Sequence, residues 1–93
     1  MHFRRRAAVV RIDGKIAAQL AARGWTVQQI NEVTNGPPIG ISTDSTGANT
    51  EPATVYGSRT GGYIVVNDRT GRVIQISDKN DPGWIADARI EWI

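Results

Sequence analysis

The spacing of apolar residues changes once along this chain, from helical to alternating, and that change decides the class of fold. In the first third, Ile16 and Leu20 lie one helical turn apart with Ala17 and Ala21 beside them; Asp13 stands before them and Gly24 after. This spacing predicts a helix over about residues 14–23, capped by Asp13. A second helix starts at Thr26, because a threonine followed three residues later by Gln29 forms a capping box that satisfies two backbone donors reciprocally. Trp25 can staple onto Ile30, and Val27, Ile30 and Val33 mark the buried side. Asn35-Gly36-Pro37-Pro38 then ends the helix with a left-handed position followed by prolines.

From residue 54 the period is two. Thr54-Val55-Tyr56, Tyr63-Ile64-Val65-Val66-Asn67 and Val73-Ile74-Gln75-Ile76-Ser77 alternate as strands, and Arg89 to Ile93 reads as a last strand with Ile90 and Trp92 facing together. Gly61-Gly62 and Asn67-Asp68-Arg69-Thr70-Gly71 supply the hairpin turns. Residues 39–52, rich in Gly, Ser, Thr and Asn, show no apolar periodicity and read as a long exposed loop, a place where small domains often keep function. The sum is an α+β domain of two N-terminal helices packed on an antiparallel sheet.

At 93 residues the chain has room for one core. Without cysteine it has no disulfide, no thiolate metal site and no cysteine nucleophile. No apolar run approaches the roughly 20 residues of a membrane span, and the start, Met-His-Phe-Arg-Arg-Arg, lacks the apolar stretch of a signal peptide, so a soluble domain without membrane contact is expected. The formal charge is +2, but Arg4, Arg5, Arg6 and Arg11 sit in the first eleven residues. Residues 12–93 hold seven Lys or Arg against nine Asp or Glu, a net of −2. We therefore divide the chain into a flexible basic arm, 1–12, which either grips phosphate or is merely solvated, and a single domain, 13–93.

The only histidine, His2, lies at the terminus, so a histidine acid–base pair is not on offer. No His or Cys cluster has ligand spacing and the aspartates are scattered over turns, so neither a metal nor another cofactor is expected. RNA cleavage needs neither, since the ribose 2′-hydroxyl is an internal nucleophile beside its phosphate. What the protein must supply is alignment and donors for the charge developing on the phosphoryl oxygens. Lys15 and Arg23 are candidates: eight residues apart on an ideal helix, they are separated by about 80° and roughly 12 Å of rise. Spacing alone also fits two ordinary surface charges. Thr54, Tyr56 and Ser58 share one face of their strand, as do Gln75 and Ser77 on another, and a base could stack on Tyr56 or Trp84. The water-facing side of any half-buried sheet has the same look.

Taken together, the blocks Lys15-Ile16, Arg23-Gly24-Trp25-Thr26, Glu51-Pro52-Ala53-Thr54-Val55-Tyr56-Gly57-Ser58, Tyr63 to Gly71, Gln75-Ile76-Ser77-Asp78-Lys79, Asp81-Pro82-Gly83-Trp84 and Asp87 to Trp92 resemble the ribonuclease domain of the colicin E-five type, also found at the tips of contact-dependent toxins. The likeness runs from about residue 13 to the end. It implies a fold of the barnase, colicin and RelE-like group, and cleavage of tRNA in the anticodon loop to leave a 2′,3′-cyclic phosphate, stopping translation. It further implies delivery into the cytoplasm of a target bacterium and a cognate immunity protein presenting acidic side chains to the cleft. Carried across, Lys15 and Arg23 match basic residues implicated in catalysis, and Thr54, Tyr56, Gln75, Ser77, Asp78, Lys79 and Trp84 match positions around the RNA groove.

The chain departs from that pattern before Pro52, where the colicin type has a longer, lysine-rich loop: residues 39–51 here contain no Lys or Arg. Fewer phosphate contacts should weaken binding and its salt dependence, with Arg4 to Arg6 placed to compensate. The reading from a different class is a non-catalytic RNA- or protein-binding module that keeps the toxin fold.

Overall fold

In the computed structural model, which describes residues 10–93, α1 (Gly14–Ala17), α2 (Leu20–Arg23) and α3 (Val27–Thr34) precede the strands β1 (Pro38–Asp44), β2 (Glu51–Ser58), β3 (Gly62–Asn67), β4 (Val73–Ile76) and β5 (Glu91–Trp92). The strands form one antiparallel sheet in the order β4-β3-β2-β1-β5. The result is a small α+β domain. His2 and Arg4 to Arg6 lie outside the described residues. Val10 and Ile12, assigned to an arm by the sequence, pack against the core, and Arg11 bridges Arg72 through backbone bonds to Gly71 and Val73.

Local signals produce the helical end of the molecule. Asp13 Oδ1 accepts from Ile16 N at 3.1 Å, and the Thr26–Gln29 capping box is formed in both directions. The single helix expected over 14–23 is instead two helical turns, because Gln19 N bonds Ile16 O three residues back and the chain tightens at Ala18 and Gln19. Gly24, at φ 80°, ends α2 in the left-handed region. The end of α3 corrects a second detail. Asn35 is right-handed (φ −90°), so no left-handed residue stops this helix; Gly36 N bonds Val33 O and the prolines follow. Val27, expected inside, is half exposed.

The expected loop over 39–52 is largely strand: β1 pairs with β2 and, on its other edge, with β5. Its inward positions are Gly40 and Asp44, with Ser42 half-buried between them, so no apolar alternation could announce it. Gly40 is required by close approach, since a Cβ there would meet Glu91 O at 3.0 Å and the Ile90 side chain at 3.3 Å. Only residues 45–50 remain an exposed connection.

Both faces of the sheet are covered. On one, Ile16, Trp25 and Ile30 pack against Ile64, Val66, Val73 and Ile76; on the other, Ala53, Val55, Tyr63 and Val65 pack under Ile90, Trp84 and Trp92 from the last segment. Each fully buried aliphatic contributes about 1.5–3 kcal/mol. A bulge phases β4 between these layers. Val66 pairs with Val73 and Val65 with Gln75, leaving Ile74 as the extra residue. Val73 and Ile76 therefore face the helices, while Ile74 and Gln75 lie on the opposite side, with Val65.

Candidate functional site

Arg23 ends α2 beside the last residue of β4, and one guanidinium nitrogen donates to Ile76 O at 2.9 Å. Its Cζ lies 5.2 Å from the ring centroid of Trp84, within cation–π range. Trp84 Nε1 donates to Tyr63 Oη at 3.1 Å, and Tyr63 Oη donates in turn to Gln75 Oε1 at 3.1 Å. Tyr63 is fully buried and meets Trp92 edge-on at 5.6 Å, so this chain is anchored on a rigid ring. With Gln75 Oε1 occupied, the amide nitrogen is what Gln75 can offer a ligand. The bulge makes this possible, because strict alternation would put Gln75 on the face of buried Val73.

Gln75 lines a cleft of about 280 Å³ with Lys15, Ser42, Asp44, Asp87 and Arg89. A second cleft of about 310 Å³ is lined by Trp84, Arg59 of the β2–β3 turn, Ser77, Asp78, Lys79 and Asp81. In the first, burial acts to raise the Asp44 carboxyl, but donation from Thr46 and Asn67 outweighs it and holds the group below the usual carboxylate range. Asp87 is likewise lowered, by side-chain and backbone donation from Arg89. These carboxylates remain charged at neutral pH.

The cations divide into two kinds. Arg69, Arg72 and Arg89 are paired with Glu51, Asp13 and Asp87. Arg11, Lys15, Arg23, Arg59 and Lys79 have no carboxylate within ion-pair distance among the described residues. Three of these five sit on tryptophans: Arg23 on Trp84, Arg59 on Trp92 at 5.0 Å and Lys79 on Trp25 at 3.9 Å. A stacked cation is held in place without being neutralised, and so keeps its attraction for an anion.

Of the residues singled out by sequence, Arg23, Gln75 and Trp84 form one connected run, with Lys15 on the Gln75 cleft and Ser77, Asp78 and Lys79 on the other. Ser77 is a positioning residue. It is buried, its Oγ accepts from Tyr63 N at 2.9 Å and its carbonyl accepts from Trp25 Nε1 at 2.8 Å. Asp78 Oδ1 accepts from Asn80 N in a local turn. Thr54 and Tyr56 are not brought to this group: they pair with Val66 and Ile64 on the helix side, Tyr56 against that core and Thr54 donating to Asp68. Sequence reasoning missed Tyr63, whose hydroxyl becomes informative only once β3 and β4 are paired, and Arg59, signalled only as a cation at a hairpin tip.

Both clefts hold cations without an ion-pair partner among the described residues, Lys15 in the first and Arg59 and Lys79 in the second, alongside aspartates, and a polar, charged lining of this kind suits a phosphodiester chain rather than an apolar ligand. Residues 12–89 match the sequence pattern of the Colicin E5 ribonuclease domain, and the chain belongs to that family. It is 53% identical over 89 residues to the tRNA nuclease CdiA of Burkholderia pseudomallei, a match covering 87% of this chain and 7% of that protein. It is 52% identical over 93 residues to Colicin-E5 of Escherichia coli, covering 89% of this chain and 51% of that protein. The chain thus spans about half of one relative and a small part of the other.

Proposed function

We propose that this domain is an endoribonuclease toxin that cuts tRNA in the anticodon loop. The 2′-hydroxyl attacks the adjacent phosphorus, the 5′-oxygen leaves, and a 2′,3′-cyclic phosphate remains. The observation that carries this reading is the Arg23–Trp84–Tyr63–Gln75 run, which links a guanidinium without an ion-pair partner among the described residues to Gln75, on the cleft that Lys15 also lines. Arg23 and Lys15 donate to the non-bridging and leaving oxygens, where fixed donors are most effective as charge develops. The chemistry is carried by the protein and the ribose hydroxyl without a metal ion. Gln75, Asp78, Lys79 and Trp84 contact RNA, while Ser77, Thr54 and Tyr56 act by holding the sheet behind them.

Membership of this family supports a fold of the barnase, colicin and RelE-like group and action in the cytoplasm of a target cell. It also implies an immunity protein with acidic side chains opposite the free cations. The test is incubation with total bacterial tRNA in EDTA, with fragments mapped by primer extension. Cleavage at one anticodon-loop position is the expected result; intact tRNA would overturn the proposal.

A further inference from the structure

We infer that Arg59 is a phosphate-binding residue of this same site, gripping the RNA backbone in the second cleft, which Trp84 also lines. The inference rests on the ribonuclease reading and extends it to a residue outside the blocks that carry the family resemblance.

Three observations carry it. Arg59 stands in the turn between β2 and β3, exposed, and lines the second cleft with Asp78, Lys79 and Trp84. Its guanidinium has no carboxylate within ion-pair distance among the described residues, although Asp78 and Asp81 line the same cleft. Each of those aspartates already accepts a backbone N–H, from Asn80 and Gly83. Finally, Arg59 lies over Trp92, which packs edge-on against the ring of Tyr63, whose hydroxyl accepts from Trp84 Nε1. The cation is thus pre-positioned on the aromatic cluster that orients Arg23, and less side-chain entropy is lost when it engages a phosphate.

Lys79 is the second cation of this cleft. Its aliphatic stem lies close over Gly62, where a Cβ would come within 2.7 Å of Lys79 Cδ, and its ammonium is held 3.9 Å from the Trp25 centroid. A strand held in this cleft would meet both cations, and the Arg59 guanidinium would take a phosphate distinct from the one being cut.

The test compares the parent, Arg59→Gln and Arg59→Lys on total bacterial tRNA between about 50 and 300 mM KCl, reading kcat and KM. Binding is measured separately in an Arg23→Ala background, where the RNA stays intact. Arg59→Gln should raise KM roughly fivefold at low salt with little change in kcat, and should reduce the slope of log affinity against log salt by about one. Arg59→Lys should restore most of the slope. An unchanged KM and slope in Arg59→Gln would overturn the inference and leave the ribonuclease reading standing, as would a lower Tm with unaltered affinity, the mark of a merely structural stack. A parent that binds tRNA through Arg59 without cutting it would uphold the inference and refute the activity.

Discussion

The two ends of the sheet use charge in opposite ways. At the end of β3 near Asn67, opposite charges and amide groups satisfy one another: the buried Asn67 amide donates to Asp44 at 2.8 Å and Glu51 at 2.9 Å, its oxygen accepts from Arg69 N and Thr70 N, and Arg69 closes onto Glu51. At the Trp84 end the cations rest on aromatic rings and have no counter-charge. Saturated networks fix a conformation, whereas unsaturated ones retain attraction for a partner. Paired charges here build the domain, and the unpaired ones at the Trp84 end are those we assign to RNA under the proposed function.

The contrast is broken most severely by Arg23→Ala, which should cut the cleavage rate at least about a hundredfold. Its structural cost is one hydrogen bond to Ile76 O and the contact with Trp84, together about 1–2 kcal/mol, so the circular dichroism spectrum should keep its native form. Activity within a fewfold of the parent would remove Arg23 from the mechanism. Next comes Asn67→Ala, which strands the buried Asp44 carboxylate and two backbone donors at a cost of about 3 kcal/mol. A Tm drop of roughly 10–20 °C should follow, with the rate per folded molecule nearly unchanged. A large fall in rate at constant Tm would show that the two ends are not separate in function.

Acid titration sharpens the comparison with the smallest effect. Asp44, Glu51 and Asp87 are held below their ordinary values, by hydrogen bonds that outweigh burial at Asp44, by Arg69 at Glu51 and by Arg89 at Asp87. Folded-state values lower than unfolded ones give stability that is present above about pH 4–5 and lost as pH falls through the folded values. Tm should hold between about pH 7 and 5 and decline below. Removing the Asn67 amide should make that decline shallower, because one reason for the lowered Asp44 and Glu51 values goes with it. An equal slope in both proteins would place the acid-sensitive groups elsewhere.

What was legible in the sequence followed from local chemistry. Asp13, the Thr26–Gln29 box, β3 and the final Ile90–Trp92 pair were all readable because the residues that form each element announce it. β1 was not, since its buried positions are a glycine and a charged residue satisfied by partners 23 positions away in Asn67 and nearby in Thr46. Alternation also identified the faces of a strand without saying which layer covers each. Thr54 and Tyr56 were grouped with Gln75 on that basis, and the helices cover one face while the last segment covers the other. The bulge at Ile74 defeated simple counting on β4, because it is specified by tertiary packing on both sides at once.

The covering of the second face by residues 84–92 sets an order in time. A ribosome makes Lys15, Arg23 and the first four strands before it makes Trp84, Asp87, Arg89 and the short strand that docks on β1. An emerging chain halted at residue 83 carries the catalytic candidates but neither the ring that Arg23 lies against nor the Asp87 and Arg89 that line the Lys15 cleft. If the domain cuts tRNA as proposed, a cleft completed only by residues made after the catalytic candidates would keep a shorter nascent chain from acting on the tRNAs still being used to extend it.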